Sequence, residues 1–137
     1  LAVDAVIGPA MGGIVVAYEL GRQLGLPAFF TERNDEGAMA LRRGFEIKPG
    51  ERIIIAEDVV TTGKSTLETA DRIKALGGVV VASICIVDRR PADAEDPFPW
   101  PLFAALRQPA VLWDAADCEL CKEGKPPAVK PGSRKVF

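Results

Sequence analysis

The run Ile53-Ile54-Ile55-Ala56-Glu57-Asp58-Val59-Val60-Thr61-Thr62-Gly63-Lys64-Ser65-Thr66 constrains the fold more than any other part of the chain. Three isoleucines and an alanine, uncharged and rich in β-branching, read as a strand at residues 53–56 covered on both faces, as in a parallel sheet. Apolar residues then return at helical spacing, at Leu67, Ala70, Ile73 and Leu76. Residues 61–65 are therefore the turn between the strand's carboxyl end and a helix, where open α/β sheets bind ligands.

The turn has the chemistry of an anion cradle. Gly63 lets the backbone come close to a phosphate, successive N–H groups can point at it, and the following helix brings the positive end of its dipole. Thr61, Thr62, Ser65 and Thr66 add hydroxyl donors. Glu57 and Asp58 would repel a phosphate, but they can accept hydrogen bonds from sugar hydroxyls, oppose a developing positive charge or hold Mg²⁺ through water. An acid pair followed by an anion cradle suits a ligand with a ribose and a 5′-phosphate. Gly63-Lys64-Ser65 also copies the end of a P-loop, but the first glycine of that motif would fall at Asp58, whose carboxylate would face the phosphates. Lys64 is left as either a phosphate contact or a solvent-facing helix residue.

Elements alternate along the chain. Residues 3–7 read as a strand, followed by the turn Gly8-Pro9-Ala10-Met11-Gly12-Gly13 and a helix with Ile14, Ala17, Leu20 and Leu24 on its apolar face, ended by Gly25 and Pro27. Residues 28–31, 53–56 and 79–87 supply three more strands. This repetition predicts an α/β fold, a parallel sheet with helices on its faces and right-handed crossovers. Residues 31–47 break the pattern: Glu32 to Gly37 is polar and turn-prone, and residues 41–47 alternate like an exposed hairpin strand. An excursion of this length in a compact domain points to a working loop rather than a solvated hairpin. Residues 91–101, with four prolines, read as a surface connection, and Glu68 and Arg72 are spaced for an i, i+4 ion pair.

The 137 residues, 48% hydrophobic, fit one compact domain spanning residues 1–137, and a net charge of −2 gives no electrostatic reason to bind nucleic acid. No apolar run reaches the roughly 18 residues of a membrane span, and no signal peptide is visible, so a cytoplasmic location is expected. The chain has no histidine, which excludes Ser-His-Asp and Cys-His catalysis and histidine metal sites. Cys85 lies in an apolar run and reads as core. Cys118 and Cys121 form a single C-x-x-C, half of a zinc site that only Asp114, Asp117 or another chain could complete, and are expected to be ordinary thiols. Lys122, Lys125, Lys130, Arg134 and Lys135 lie in a Pro-rich tail that reads as solvated.

From Ile53 to Ser65 the chain resembles the ribose-phosphate signature of the type I phosphoribosyltransferases: four apolar residues, an acidic pair, two apolar residues and a Thr-Thr-Gly-x-Ser/Thr turn. Phe30-Thr31-Glu32-Arg33, Leu41-Arg42-Arg43-Gly44-Phe45, Ile86-Val87-Asp88-Arg89 and Cys118-Glu119-Leu120-Cys121-Lys122-Glu123-Gly124 further resemble the orotate-using branch of that family. The resemblance implies transfer of the 5-phosphoribosyl group from 5-phosphoribosyl 1-pyrophosphate to N1 of orotate, releasing pyrophosphate, with Mg²⁺ carried on substrate oxygens and no directly bound metal. It implies Glu57, Asp58 and the loop cation Arg33 as catalytic residues. Thr61, Thr62, Gly63, Lys64 and Ser65 would hold the ribose phosphate, Ala10, Met11 and Gly12 the pyrophosphate with Arg42 and Arg43, and Arg89 the carboxylate of the base. A homodimer is implied too, because the family's loop acts across one. A neutral purine as acceptor, or a non-catalytic sensor of the sugar diphosphate, are the competing functions. Leu1 stands where a methionine would, and the family's N-terminal hood has no counterpart before it, so a missing N-terminal segment is expected.

Overall fold

The computed structural model describes residues 1–111, 113–114 and 116–124. The chain runs β1 (Ala5–Pro9), α1 (Gly12–Leu24), β2 (Ala28–Arg33), β3 (Met39–Leu41), β4 (Arg52–Val60), α2 (Lys64–Ala75), β5 (Val79–Asp88), β6 (Leu102–Arg107) and α3 (Glu119–Glu123). Six strands form one sheet in the order β3-β2-β1-β4-β5-β6, parallel except for β3, which pairs antiparallel with β2. The sequence order reverses direction between β1 and β4, so a crevice at the carboxyl ends of these two neighbours is the expected ligand position.

Strand periodicity divides the core. Ile53 and Ile55 face α2, where they pack with Ala5, Ile7, Val60, Ala70, Ile73 and Cys85, whereas Ala56 faces α1 with Val6 and Ala17. Fully burying one Ile side chain is worth about 1.5–3 kcal/mol, so the apolar run of β4 anchors both layers. On α1 the buried stripe is Gly13, Ala17 and Gly21; of the four residues read from the sequence Ala17 is buried, Ile14 and Leu20 are half-buried and Leu24 is exposed. Small residues four apart let α1 lie close to the sheet, and a Cβ on Gly21 would come within 2.9 Å of Ala28 Cβ. On α2, Thr66, Thr69, Ala70 and Ile73 are buried, with Thr69 and Thr31 joining hydroxyls at 2.9 Å across the layer.

Four expectations change. β4 runs on to Val60, because Val59 and Val60 pair with Val87 and Asp88 of β5, so the acid pair lies inside the strand rather than beyond it. β1 is shifted to Ala5–Pro9, and α1 begins at Gly12 within the expected turn. The hairpin strand is Met39–Leu41, not residues 41–47; Phe45 beyond it packs on Phe29 and Phe30, with ring centroids 5.1 and 5.3 Å away. The Pro-rich connection is not merely surface: it inserts Phe98 and Trp100 into the core on the α2 side. No helix among the described residues is long and apolar enough to cross a membrane. The tail cations Lys125, Lys130, Arg134 and Lys135 lie outside the described residues.

Candidate active site

Two strand-to-helix turns meet at the reversal point. The β1–α1 turn holds Ala10 and Met11, joined by a cis peptide bond, with the Ala10 N–H donating to the Thr31 carbonyl at 2.7 Å. The β4–α2 turn holds Thr61, Thr62 and Gly63. Beside these turns the start of α1 comes up against β4: a Cβ on Gly12 would sit 1.9 Å from Asp58 Oδ2, and one on Gly13 2.7 Å from the Ala56 carbonyl oxygen. Asp58 and Glu57 are neighbours in β4, and the pleat sends them different ways. Asp58 lies against the start of α1, while Glu57, opposite Cys85 in the ladder, is buried toward α2. The sequence makes this possible only because position 12 has no side chain.

Both helices start in the same unusual manner. Neither Met11 nor Gly63 caps its helix with a side-chain hydrogen bond, and neither helix has an acidic residue in its first turn. Most helices use Ser, Thr, Asp or Asn to satisfy these N–H groups. Here Thr62 Oγ1 accepts from the Lys64 N–H at 3.3 Å, and the first carbonyl bond of α2 runs from Leu67 N–H to the Gly63 carbonyl at 2.9 Å. Gly63 has φ +77°, the left-handed region that a side chain disfavours. Two positive helix ends thus flank one acid pair, and residues 57 and 59–66 line a cleft beside it.

Glu57 is 7% exposed. Burial, reinforced by the Asp58 charge, pushes its carboxyl up to about 7, with the Thr66 hydroxyl pulling weakly the other way. Near neutral pH it is therefore poised between a proton donor and an acceptor of hydroxyl hydrogen bonds. Asp58 is half-buried, and its Oδ1 accepts its neighbour's Val59 N–H at 2.8 Å.

The expected cations are placed differently from the turns. Arg33 pairs with Glu68 of α2 at 2.6 Å and donates to the Gly37 carbonyl, replacing the expected Glu68–Arg72 pair. Arg43 and Arg42 both reach Glu32, at 3.0 and 3.8 Å, and Arg43, at φ +63°, lies over the Phe30 ring. Among the described residues, none of the three has a hydrogen bond or ion pair with Glu57, Asp58 or either turn. Lys64 is solvent-facing, 4.0 Å from Glu68. Arg89 follows β5 with an exposed side chain, its N–H bonded to the Val60 carbonyl at 2.8 Å.

Sequence reading missed Arg90. It is buried, holding Asp88 through Nε and Nη2 at 3.0 and 2.9 Å and Asp96 through Nη1 at 2.9 Å. Its guanidinium keeps the Asp88 carboxyl below the usual carboxylate range. The doubled arginine after an aspartate was the available signal. Cys85 is buried as expected, with its thiol pushed up to about 11 chiefly by burial; Cys118 at the N-cap of α3 and Cys121 within that helix are free thiols. Among the described residues, no three of His, Cys, Asp and Glu are grouped to hold a metal.

The chain is similar to known proteins in sequence and in fold. Residues 2–104 match the model of the phosphoribosyl transferase domain. Over 131 residues the chain is 53% identical to an orotate phosphoribosyltransferase of Heliobacterium modesticaldum, covering 96% of this chain and 66% of that relative. In structure it is similar to adenine phosphoribosyltransferase of Thermoanaerobacter pseudethanolicus, with a TM-score of 0.67, 15% identity and 78% and 72% of the two chains covered. It is also similar to orotate phosphoribosyltransferase of Aeropyrum pernix, with a TM-score of 0.63, 24% identity and 77% and 60% covered. The two structural likenesses show the type I phosphoribosyltransferase fold. With three-quarters of its length inside the family model, the chain belongs to the phosphoribosyl transferase domain family.

Proposed function

We propose that this domain transfers the 5-phosphoribosyl group of 5-phosphoribosyl 1-pyrophosphate to orotate, giving orotidine 5′-monophosphate and pyrophosphate. The observation that carries the reading is the Gly12–Asp58 junction, which sets two helix starts, neither capped by the side chain of its N-cap residue, on either side of one acid pair. A ligand with anionic groups at both ends and hydroxyls between them matches that order of charge. The 5′-phosphate belongs on residues 61–65 and the diphosphate on residues 10–12, each helix start contributing about half a positive charge.

Glu57 and Asp58 accept hydrogen bonds from the ribose hydroxyls and oppose positive charge growing on the ring as the bond to pyrophosphate lengthens. Orotate is already an anion, so no strong general base is required, in keeping with a chain without histidine. The half-buried Asp58 carboxylate fits Mg²⁺ held mainly by substrate oxygens; when bound, the ion would neutralise the leaving diphosphate. Arg33, Arg42 and Arg43 can join it only by leaving Glu68 and Glu32, so closure of the 31–47 loop exchanges internal ion pairs for contacts to the diphosphate. The reading places the protein in the cytoplasm as a homodimer. An exposed apolar groove lined by Val15, Val16, Leu20 and Ile86 supports the dimer.

Arg89 is assigned to the base. Its guanidinium has no ion pair among the described residues and stands at the end of β5, and the 53% identical relative is named for orotate. Arg89→Ala is expected to raise KM for orotate by about tenfold to a hundredfold, the loss of one charge-assisted pair, while leaving the affinity for the sugar diphosphate unchanged. Steady-state assays with orotate beside hypoxanthine check this. Turnover with hypoxanthine would assign a purine acceptor, and binding without turnover on either base would leave a sensor of the sugar diphosphate.

A further inference from the structure

The connection between β5 and β6 carries a second structural device. Parallel neighbours are usually joined through a helix, yet residues 89–101 contain none and fold back against the α2 side of the sheet. Arg90 ties the segment at both ends of its first half, gripping Asp88 at the end of β5 and Asp96. Asp96 in turn accepts the Phe98 N–H at 3.1 Å, and the Arg90 guanidinium lies 5.6 Å over the Phe98 ring. Trp100 stacks on Phe98 at 5.8 Å and donates its indole N–H to Ser83 Oγ at 2.7 Å. The Phe98 ring is therefore held from its backbone, its face and its far side.

What it is held against is the phosphate turn. A Cβ on Gly63 would meet Phe98 Cζ at 2.6 Å and Cε1 at 2.9 Å, with Pro97 Cγ at 3.2 Å. Gly63 is the residue whose left-handed backbone aims the first N–H groups of α2. We propose that Phe98, clamped by Arg90 and Asp96, is a positioning residue that fixes the Gly63 backbone and so sets the geometry of the 5′-phosphate cradle. The inference rests on the reading of residues 61–65 as that cradle. A displacement of the turn weakens phosphate binding because several N–H groups must converge on one anion.

The test compares ribose 5-phosphate with inorganic pyrophosphate, titrated calorimetrically into the native chain and its variants. Asp96 is half-exposed and outside the core, so Asp96→Ala removes the clamp without opening a cavity. Asp96→Ala and Phe98→Ala are expected to weaken ribose 5-phosphate by about tenfold or more, with pyrophosphate binding at the β1–α1 turn changed less than about twofold and Phe98→Leu restoring most of the loss. If Phe98→Ala does not fold, Asp96→Ala carries the result. Native-like ribose 5-phosphate binding in the folded variants, or equal loss of both ligands, overturns the positioning role while the cradle stands. Failure of the native chain to bind ribose 5-phosphate overturns the cradle and this role together.

Discussion

Gly12→Ala is expected to lower affinity for 5-phosphoribosyl 1-pyrophosphate by at least about a hundredfold, equal to about 2.8 kcal/mol, without unfolding the protein. The added methyl would overlap Asp58 Oδ2 at 1.9 Å and Cγ at 2.2 Å, and the short Asp58 side chain, whose Oδ1 is tied to the Val59 N–H, has little room to retreat. Its carboxylate must rotate, and the two turns must part. Position 12 is the first residue of α1, and its φ is not in the left-handed region, so alanine suits the local backbone. Relieving the overlap costs about 1–3 kcal/mol, so a cooperative thermal transition should persist at a somewhat lower temperature while titration with the sugar diphosphate fails, and Tyr18→Ala, exposed on the same helix, should leave both unchanged. Native affinity in Gly12→Ala would show that the Gly12–Asp58 approach has no part in binding.

Glu57→Gln is expected to stabilise the ligand-free protein at pH 8 while impairing its work. The buried Glu57 carboxyl is pushed from an ordinary 4.5 up to about 7, so it binds a proton more tightly folded than unfolded. Its contribution to stability is fully present below about pH 4.5, falls as pH rises through about 7, and is constant above; the fall amounts to roughly 3 kcal/mol. Glutamine carries no charge and removes that slope. Denaturant unfolding at pH 5 and pH 8 should show the native protein losing stability over this interval and the variant losing less. Affinity for ribose 5-phosphate should fall by about tenfold, since a neutral amide accepts sugar hydroxyls less strongly than a carboxylate. Identical pH profiles for the two proteins would contradict the burial argument.

Much of this site was visible in the sequence because its signals are local. The apolar residues 53–56, the acid pair and the Thr-Thr-Gly turn are contiguous, and each has a physical use at a strand's carboxyl end. Reading failed where the determining partner lay far along the chain. β4 continues to Val60 because β5 supplies its hydrogen bonds, which the composition of residues 57–60 does not announce. Arg33 takes Glu68, 35 residues away, while helical spacing pointed to the local Arg72. The prolines of residues 91–101 suggested a surface path, and the two aromatics among them, Phe98 and Trp100, were the overlooked sign of a core plug. On α1, periodicity found Ala17 but passed over Gly13 and Gly21, which close approach to the sheet selects beside it.

The central claim is that the two turns and the acid pair form one site for a ribose bearing anions at both ends. Calorimetric titration of the 137-residue chain with 5-phosphoribosyl 1-pyrophosphate and Mg²⁺, beside ATP and the Glu57→Gln, Asp58→Asn double variant, tests it most directly. The account predicts saturable binding of the sugar diphosphate, no comparable binding of ATP, and clear weakening in the folded double variant. Equal affinity for ATP, or full affinity in the double variant, would contradict it.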